Sequence, residues 1–326
     1  MHPAFSVIFL TTLIGAGQGL FLALFTAQVY ARFNLLPEQQ GSSLFFTGSL
    51  VAVILLCLGL FASFFHLGRP ERAWRTATKW RTSWLSREVI VLPAALAAIA
   101  AYGAAHYYGM TDALFTTPGG TGIDATLLLG LAATVLTYAL FVCTGMIYGC
   151  MKFLQEWHTP LTVINFILMG TASGFAAATA LSAYTESGLA RFYAGWAILL
   201  TILALIFRLA SLVRNGRIKP KSTFKTAIGI SHKTIRQISQ GSMGGSFNTR
   251  EYFHGKKAGF LKSIKSLFLL LAFVVPLILL TISMNTSGFI IPLLAVGIQF
   301  VGLLAERWYF FADAKHPQNL YYQQIS

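Results

Sequence analysis

Eight long apolar stretches, separated by polar connections, dominate the pattern of this sequence. Each stretch is close to the ~20 apolar residues that a helix needs to cross the hydrocarbon of a bilayer. None shows the short alternating pattern of membrane β-strands. The pattern therefore predicts an all-α, polytopic integral membrane protein with eight transmembrane helices. The predicted spans are 4–31, 44–65, 86–107, 125–151, 160–184, 190–213, 263–284 and 287–311.

Composition supports the same class of protein. Hydrophobic residues make up 56% of the chain, charged residues make up 10%, and the mean hydropathy is +0.66. These values exclude an ordinary soluble domain. The first span is too long for a cleaved signal peptide, and it ends in Tyr30 and Arg32 where a cleavage site would have small residues. We therefore expect residues 1–326 to form a single membrane domain that keeps its first span.

Basic residues accumulate on one side of the predicted bundle. With the N-terminus on that side, the opposite side receives only Arg32 and Arg191. Lys and Arg collect in cytoplasmic loops, so both termini are expected in the cytoplasm. Arg208, late in the sixth span, is expected to extend to the same interface. The net charge of +14 is then one-sided, which suits anionic lipid headgroups or an acidic protein partner and not nucleic acid.

Ionisable residues are concentrated where the second and third spans meet the membrane surface. Residues 66–70 read HLGRP, and residues 85–88 read LSRE. Hydrocarbon does not tolerate such groups at greater depth, and histidine titrates near neutral pH. His66 and Glu88 are candidates to relay the protons of a quinone or quinol, and Arg69 is a candidate to stabilise negative charge on it. The alternative is an interfacial belt of Arg and Trp residues.

Gln18 is the most conspicuous polar side chain inside the first span, within the run GAGQG at 15–19. In one interpretation the glycines allow close helix packing, and the amide bridges two helices. In the other, the glycines open a cleft in which Gln18 donates a hydrogen bond to a quinone carbonyl. Thr144 and Asn165 are interpreted as packing and interhelical hydrogen bonds. Glu306 and Arg307 either border the site or form an ion pair.

The cofactor that this chain can hold is limited by its cysteines and histidines. Cys57, Cys143 and Cys150 lie within predicted spans and show no C-x-x-C spacing. Every histidine lies at a helix end or in a loop, which disfavours the two axial ligands of a buried haem. We expect neither haem nor an iron–sulfur cluster on this chain. Electrons would then arrive from a partner and leave on membrane quinone.

Two connecting segments are candidates for binding a partner. Segment 66–85 is rich in Arg and Trp, and segment 214–262 is basic, Gly/Ser-rich and longer than a helix connection needs. The second is either a charged linker lying on lipid headgroups or a docking platform for an electron-delivering subunit. Aromatic residues within 248–254 favour docking. The candidate docking residues are Arg72, Arg75, Arg81, Arg250, Tyr252 and His254.

The transporter class remains open. Proton pumps and ion-coupled transporters commonly place Asp, Lys or Glu at mid-membrane depth, and the predicted helix interiors have none there. This pattern weakens the case for a transporter without excluding one. The remaining possibility of this kind is an anion transporter whose basic mouth attracts its substrate.

Several of these motifs resemble those of a known family. HLG with Pro70 at 66–70, LSRE at 85–88 and Gln18 after an apolar run are similar to the quinol-site signatures of membrane anchor subunits of the dimethyl sulfoxide reductase type. That family comprises eight-helix proteins related to polysulfide-reductase and nitrite-reductase membrane subunits, and the resemblance covers nearly the whole chain. The stretches 1–3, 248–254, 306–311 and 316–322 most resemble membrane subunits of cytoplasmically oriented sulfite dehydrogenases.

The resemblance implies a three-subunit complex in the bacterial inner membrane. A molybdenum-pterin catalytic subunit and an iron–sulfur subunit would hold the metals, and this chain would exchange electrons with ubiquinone or menaquinone. The implied quinone-binding residues are Gln18, His66, Arg69, Trp84 and Glu88, with Trp84 shaping the entrance. A cytoplasmic basic face suits sulfite oxidation with quinone as the acceptor. The alternative is the anchor of a dimethyl sulfoxide, tetrathionate or polysulfide reductase that uses quinol as the donor.

Overall fold

A computed structural model describes residues 4–36, 42–118, 122–219, 223–235 and 258–315. Within these ranges, eight helical segments are long and apolar enough to cross a membrane, which confirms the predicted number of spans. The first six are α1 (Phe5–Arg32), α2 (Ser42–Ser63), α3 (Trp84–Tyr107), α4 (Ala125–Gly149), α5 (Pro160–Tyr184) and α6 (Ala190–Gly216). A short α7 (Phe224–Ile228) follows. The seventh span joins α8 (Ala258–Leu269), a π-helical turn (Leu270–Val274) and α9 (Val275–Ser283), and the last span is α10 (Ile290–Ala312).

Two connections contain regular structure that the hydropathy pattern did not predict. Between α2 and α3 lie two 3₁₀ segments, Phe64–His66 and Pro70–Lys79, so the expected loop 66–85 is largely helical. Pro70 begins the second segment. Its missing N–H costs no hydrogen bond there, because the first N–H groups of a helix have no partner within the helix. Between α3 and α4, strands β1 (Ala113–Thr116) and β2 (Gly122–Asp124) form an antiparallel hairpin, with Ala113 opposite Asp124.

Helices α1 and α5 form the centre of the bundle, and glycines bring them together. In their most apolar windows 78% of α1 and 67% of α5 is buried. A Cβ atom at Gly19 would lie 2.1 Å from the carbonyl oxygen of Gly170, and one at Gly174 would lie 1.9 Å from the carbonyl carbon of Gly19. Only glycine permits this approach of two backbones. The expected close packing around residues 15–19 is therefore confirmed.

The other spans form two groups around this central pair. Helices α2 and α4 contact α1 and are joined by α3, whereas α6 and α10 pack against α5, and α9 packs against α6 and α10. Outward positions on α2 carry Leu50, Ile54 and Leu58 at four-residue spacing, and all three are exposed. Such a stripe on a membrane helix faces lipid.

A polar network ties α1, α3 and α4 at one end of the bundle. Buried Asp124 pairs with Arg32 and accepts a hydrogen bond from the Thr126 hydroxyl at 2.7 Å. Gln28 donates to Thr126 at 2.6 Å and accepts from the Tyr102 hydroxyl at 2.8 Å. This network fixes the ends of three helices far from the residues predicted to be functional.

The opposite end, here called the basic face, holds the start of α1 and the end of α10. An aromatic cluster joins them, with Ile8 packed beside Tyr148, Trp157 and Phe310. The Trp157 indole donates to the carbonyl oxygen of Phe310 at 3.0 Å. The 3₁₀ segments with Arg69, Arg72, Arg75, Lys79 and Arg81 belong to the same end, because α2 ends and α3 begins there.

Helix α10 supplies a hydrogen bond to a backbone carbonyl group that the π-helical turn in the seventh span leaves without its usual helical donor. Pro276 has no N–H with which to continue the α-helical ladder to Ala272. The amide of Gln299 donates to the carbonyl oxygen of Ala272 at 3.3 Å and to the Thr201 hydroxyl at 3.4 Å. A Cβ atom at Gly302 would lie 2.2 Å from the nitrogen of Ala272, so glycine is needed for this approach.

Candidate functional site

Glu88 lies one turn inside α3, on the buried side of the helix. The N-cap of α3 is Ser83, whose side chain accepts from the backbone N–H of Ser86, and this fixes where the helix begins. Glu88 is 9% exposed, and its Oε1 accepts a 2.5 Å hydrogen bond from the Thr144 hydroxyl of α4. The interpretation of Thr144 as a residue that forms an interhelical hydrogen bond is therefore confirmed, and its partner is the buried carboxyl group of Glu88.

His66 and Arg69 lie outside the bundle at the basic face. His66 ends the first 3₁₀ segment, and Arg69 immediately precedes the second. Both side chains are exposed, and neither forms a hydrogen bond or ion pair with another described residue. The fold therefore places His66, Arg69 and Glu88 at the same end of the molecule without joining them through direct contacts.

Trp84 begins α3 and is held by Arg87. The guanidinium carbon of Arg87 lies 4.2 Å from the centroid of the Trp84 ring, a cation–π contact. The same guanidinium donates to the carbonyl oxygens of Trp80 and Arg81, each at 2.9 Å. Arg87 thereby fastens the end of the 3₁₀ region to the start of α3 and fixes the position of Trp84.

Gln18 is fully inside the bundle, and its amide joins α1 to α4. Its Nε2 donates to the carbonyl oxygen of Thr137 at 2.9 Å, as the helix-bridging interpretation requires. Gln18 also lines a cavity of about 20 Å³, here called the Gln18 cavity. The other polar groups of its lining include Thr11, Thr12, Thr144, Ser173 and Arg307. This volume suits a water molecule and is too small for a quinone ring.

Three charged side chains form a buried cluster between α6 and α10, here called the ion cluster. Glu306 is 0% exposed, Arg208 is 3% exposed and Arg307 is 4% exposed. Glu306 lies 2.8 Å from the Nε of Arg208 and 3.6 Å from the Nε of Arg307. The expectation that Arg208 extends to the interface is therefore wrong, because Glu306 holds it inside. The expected pair of Glu306 with Arg307 is confirmed, and Arg307 also lines the Gln18 cavity.

Aromatic rings enclose the ion cluster. The guanidinium carbon of Arg307 lies 3.7 Å from the ring centroid of Phe166, and that of Arg208 lies 5.5 Å from the centroid of Phe268. Such rings stabilise a cation that has lost its water. Sequence reasoning missed this three-residue cluster because Arg208 and Glu306 are 98 positions apart, and only the spacing of Glu306 and Arg307 was visible.

A second small cavity lies on the basic-face side of the ion cluster. It has a volume of about 10 Å³ and is here called the Glu156 cavity. Its polar lining consists of Glu156, Thr162, Asn165, Arg208, Ser211, Asn215, Glu306 and Arg307. Glu156 lies in the connection between α4 and α5 and is largely buried. Burial raises the pKa of the Glu156 carboxyl group above its ordinary value, and backbone hydrogen bonds partly oppose this increase.

The predicted docking residues divide into two groups. Arg72, Arg75 and Arg81 are exposed on the basic face, with Arg75 over the Trp74 ring and Arg81 over the Trp80 ring. Arg250, Tyr252 and His254 lie outside the described residues. Tryptophan rings therefore orient Arg75 and Arg81, whereas Arg72 lies 3.8 Å from the carboxylate of Glu71.

Comparison with known proteins identifies the family. The family model described as "DMSO reductase anchor subunit (DmsC)" matches residues 1–313. The chain belongs to the DMSO reductase anchor subunit family. A sulfite dehydrogenase subunit of Allochromatium vinosum is 56% identical over 326 residues, which is 100% of both chains. The resemblance drawn from the motifs is confirmed, and the chain is a multi-pass membrane anchor of a multi-subunit oxidoreductase.

Proposed function

We propose that this anchor subunit transfers electrons from sulfite oxidation to membrane quinone at the cytoplasmic side of the bacterial inner membrane. The full-length identity of 56% with a sulfite dehydrogenase subunit supports sulfite as the electron donor. The buried Glu88–Thr144 pair at the basic face is the observation that carries the quinone-exchanging role. A carboxyl group inside a membrane bundle is expensive, and in membrane proteins such groups mark sites of proton or ion transfer.

The overall reaction balances across three subunits. Sulfite and water give sulfate, two protons and two electrons at a molybdenum-pterin subunit, and an iron–sulfur subunit passes the electrons to the anchor. Quinone takes up the two electrons together with two protons and leaves as quinol. The anchor must therefore supply hydrogen-bond donors to two ring carbonyls and a path for protons.

The donor groups at the basic face support binding of a quinone head group there. His66 and Arg69 are exposed there and free to donate hydrogen bonds, and Glu88 is a proton carrier behind them. Trp84, fixed by Arg87, offers an apolar ring at the membrane boundary. Because the Gln18 cavity is too small for the ring, a contact with Gln18 requires α1 and α4 to open there.

Each residue has a distinct role in this proposal. The guanidinium of Arg69 stabilises negative charge at a carbonyl oxygen by a charge-assisted hydrogen bond. The imidazole of His66 and the carboxyl group of Glu88 each hold a proton for transfer. Thr144 orients the Glu88 carboxyl group, since its hydroxyl donates to Oε1 and leaves Oε2 to face the reaction partner.

The positive-inside rule supports the cytoplasmic orientation of the basic face. Arg69, Arg72, Arg75, Lys79, Arg81 and Arg87 all lie at the basic face, whereas Arg32 and Arg191 lie at the opposite end. We place the iron–sulfur subunit on the basic face, against Arg72, Arg75 and Arg81. Segment 214–262, with Arg250, Tyr252 and His254, is the second segment that we propose for docking.

The test is purification of the tagged chain from native membranes in mild detergent. We expect a molybdenum subunit and an iron–sulfur subunit to copurify, and the complex to reduce a short-chain quinone with sulfite. Mass spectrometry, metal analysis and the quinone assay measure these results. A chain that purifies alone and free of metal would contradict the proposal, and uptake of anions by vesicles holding that chain would identify a transporter.

The second candidate is the anchor of a reductase, and the description of the matched family model favours it. In that case quinol would be the donor, and dimethyl sulfoxide, tetrathionate or polysulfide the acceptor. The same purified complex distinguishes the two. Sulfite-dependent quinone reduction supports the first, and quinol-dependent reduction of one of these acceptors without sulfite activity supports the second.

A further inference from the structure

The ion cluster has a composition that helix packing alone does not require. Glu306, Arg208 and Arg307 are almost completely buried. Well-packed apolar residues of similar size usually join two helices at least as stably as a buried ion pair. Ionisable groups inside a membrane bundle more often mark a proton or ion pathway.

The two small cavities meet at this cluster. The Gln18 cavity, of about 20 Å³, and the Glu156 cavity, of about 10 Å³, share Phe166, Met169 and Arg307 in their linings. A cavity the size of one water molecule with several polar partners is what a buried water molecule needs. Arg307 therefore separates two water-sized spaces inside the bundle.

Polar atoms with unused hydrogen-bonding capacity line the Glu156 cavity. Oδ1 of Asn165 has no hydrogen-bond partner among the described residues, and the Glu306 carboxylate has its ion contacts with Arg208 and Arg307 but no further donor. Asn165 is 4% exposed and Glu306 is 0% exposed, so bulk solvent does not reach them. Buried polar atoms in this situation usually bind ordered water. The lining is thus built to hold water between the protein surface and the ion cluster.

Glu156 lies at the basic-face end of the row of polar groups formed by the two cavities and the ion cluster. Its carboxyl group lies in the α4–α5 connection, beside Asp313 and Lys315 of the chain after α10. Asp313 is fixed by hydrogen bonds from Tyr309 at 3.1 Å and Asn215 at 3.5 Å. Glu156, which lines the cavity, therefore lies at its basic-face end, next to a second carboxylate and one lysine.

The inner end is Thr144. Its side chain lines the Gln18 cavity, and its hydroxyl donates to Glu88. A hydroxyl in this position accepts a proton from water on one side and passes its own proton to the carboxylate on the other. Thr144 thus connects the cavity to the proposed quinone site.

We propose that Glu156, the ion cluster and Thr144 line a proton-uptake route from the basic face to Glu88. The proposal rests on the proposed quinone function of Glu88 and names the source of its protons. A proton enters at the Glu156 carboxyl group and moves along water past Glu306 and Arg307. The Thr144 hydroxyl then passes one proton to Glu88 and takes one from water. Thr144 therefore has the same protonation state before and after each transfer.

The charges along the route permit this transfer. Arg208 and Arg307 alone would repel an incoming proton, and the Glu306 carboxylate offsets one of these charges. Glu156 offsets the other when it is ionised. The route is therefore close to neutral overall, which keeps the electrostatic barrier to a cation low.

The experiment measures proton access to Glu88 directly in the purified complex, without added quinone. Infrared difference spectra follow the exchange of buried carboxyl protons into D₂O, and Glu88→Gln identifies the Glu88 band. We expect Thr144→Val and Glu156→Gln each to slow exchange of that band by at least about tenfold. Thr144→Ser and Glu156→Asp, which keep the hydroxyl and the carboxyl group, should restore it. Glu186→Gln, an exposed carboxylate at the opposite end, is the matched control.

The outcomes separate this proposal from the proposed function. Exchange at the wild-type rate in both Thr144→Val and Glu156→Gln would overturn the route, whatever the quinone assay shows. Slowed exchange in a complex that never reduces quinone would support the route and contradict the function. Because Glu156 lies in a connection outside the spans, its variant tests the route even where Thr144→Val fails to assemble.

Discussion

Thr144 of α4 donates a hydrogen bond to Glu88 of α3 across 2.5 Å, about one helical turn inside the bundle. Both groups are largely buried, so each provides the other with a hydrogen bond that water would provide at the surface. Removal of one partner leaves the other unsatisfied, which costs more than the bond itself contributes. The pair therefore stabilises the α3–α4 interface and presents a carboxyl group at the basic face.

Replacement of Glu88 by Gln is expected to remove proton transfer while keeping the fold. The Gln carbonyl still accepts from Thr144, but the amide cannot deliver a proton. We expect sulfite-dependent quinone reduction to fall by about 100-fold or more. Sulfite oxidation with a soluble artificial acceptor should remain at the wild-type level. Quinone reduction at the wild-type rate in this variant would remove Glu88 from the mechanism.

Replacement of His66 by Ala or Gln tests the proposed proton-transfer role of this exposed histidine. The His66 side chain is exposed and makes no hydrogen bond or ion pair with a described residue, so its loss should not destabilise the bundle. Both variants should lose quinone reduction, because Gln keeps a hydrogen-bond donor and still cannot carry a proton at neutral pH. The measurement is the quinone rate beside the artificial-acceptor rate. Activity retained in Gln but lost in Ala would show a positioning role instead of proton transfer.

Glycine packing of α1 against α5 predicts a strong difference between two similar substitutions. A Cβ atom at Gly19 would collide with the backbone of Gly170, whereas one at Gly195 would meet no atom within 4 Å. We expect Gly19→Ala to cost about 3 kcal/mol or more of bundle stability through overpacking. Gly195→Ala should be neutral or slightly stabilising, because Ala is the better helix former. The measurement is the thermal unfolding midpoint of each variant in detergent. Equal midpoints for Gly19→Ala and Gly195→Ala would contradict the prediction.

The Arg208–Glu306 pair is expected to be strongly coupled. Glu306→Gln leaves two buried arginines without a counter-charge, and such a break typically costs about 3–5 kcal/mol. Arg208→Met with Glu306→Gln restores the net charge of the wild-type cluster, so the double variant should be more stable than Glu306→Gln alone. A double-mutant cycle from denaturation measurements gives the coupling. Additive effects would mean that the two side chains do not interact.

Stability should depend on pH through Glu156. Burial raises the pKa of this carboxyl group above 4.5, so the folded state binds the proton more tightly than the unfolded state. Its stabilising contribution is then complete below about pH 4.5 and is lost as pH rises through the higher folded-state value. The charged groups around it are Asp313, Lys315, Arg208, Glu306 and Arg307.

The measurement is the unfolding midpoint of wild type and Glu156→Gln across this pH range. We expect the wild-type midpoint to fall with rising pH and the variant to respond less. A variant whose pH profile is parallel to that of the wild type would show that Glu156 is not the responsible group.

Much of the architecture follows from local sequence. The number and approximate bounds of the spans were predicted correctly, because hydropathy is a sum over neighbouring residues and needs no knowledge of packing. The start of the seventh span at 258 instead of 263, and the 3₁₀ helix at Pro70–Lys79, were not predicted. The 3₁₀ helix lies at the membrane surface, where hydropathy carries little information.

The sequence by itself determined the spans, the one-sided charge and the family, since each is written in contiguous residues or in counts of them. Only the tertiary structure decided which polar residues meet. The sequence left two roles open for Gln18, and the structure shows that its amide donates a hydrogen bond to the carbonyl oxygen of Thr137. The sequence predicted that Arg208 extends to the interface, and the structure shows it paired with Glu306 inside the bundle. Glu88 and Thr144 are 56 positions apart, and their hydrogen bond depends on how α3 and α4 rotate against each other. The packing of the whole bundle sets that rotation, and no local pattern in the chain records it.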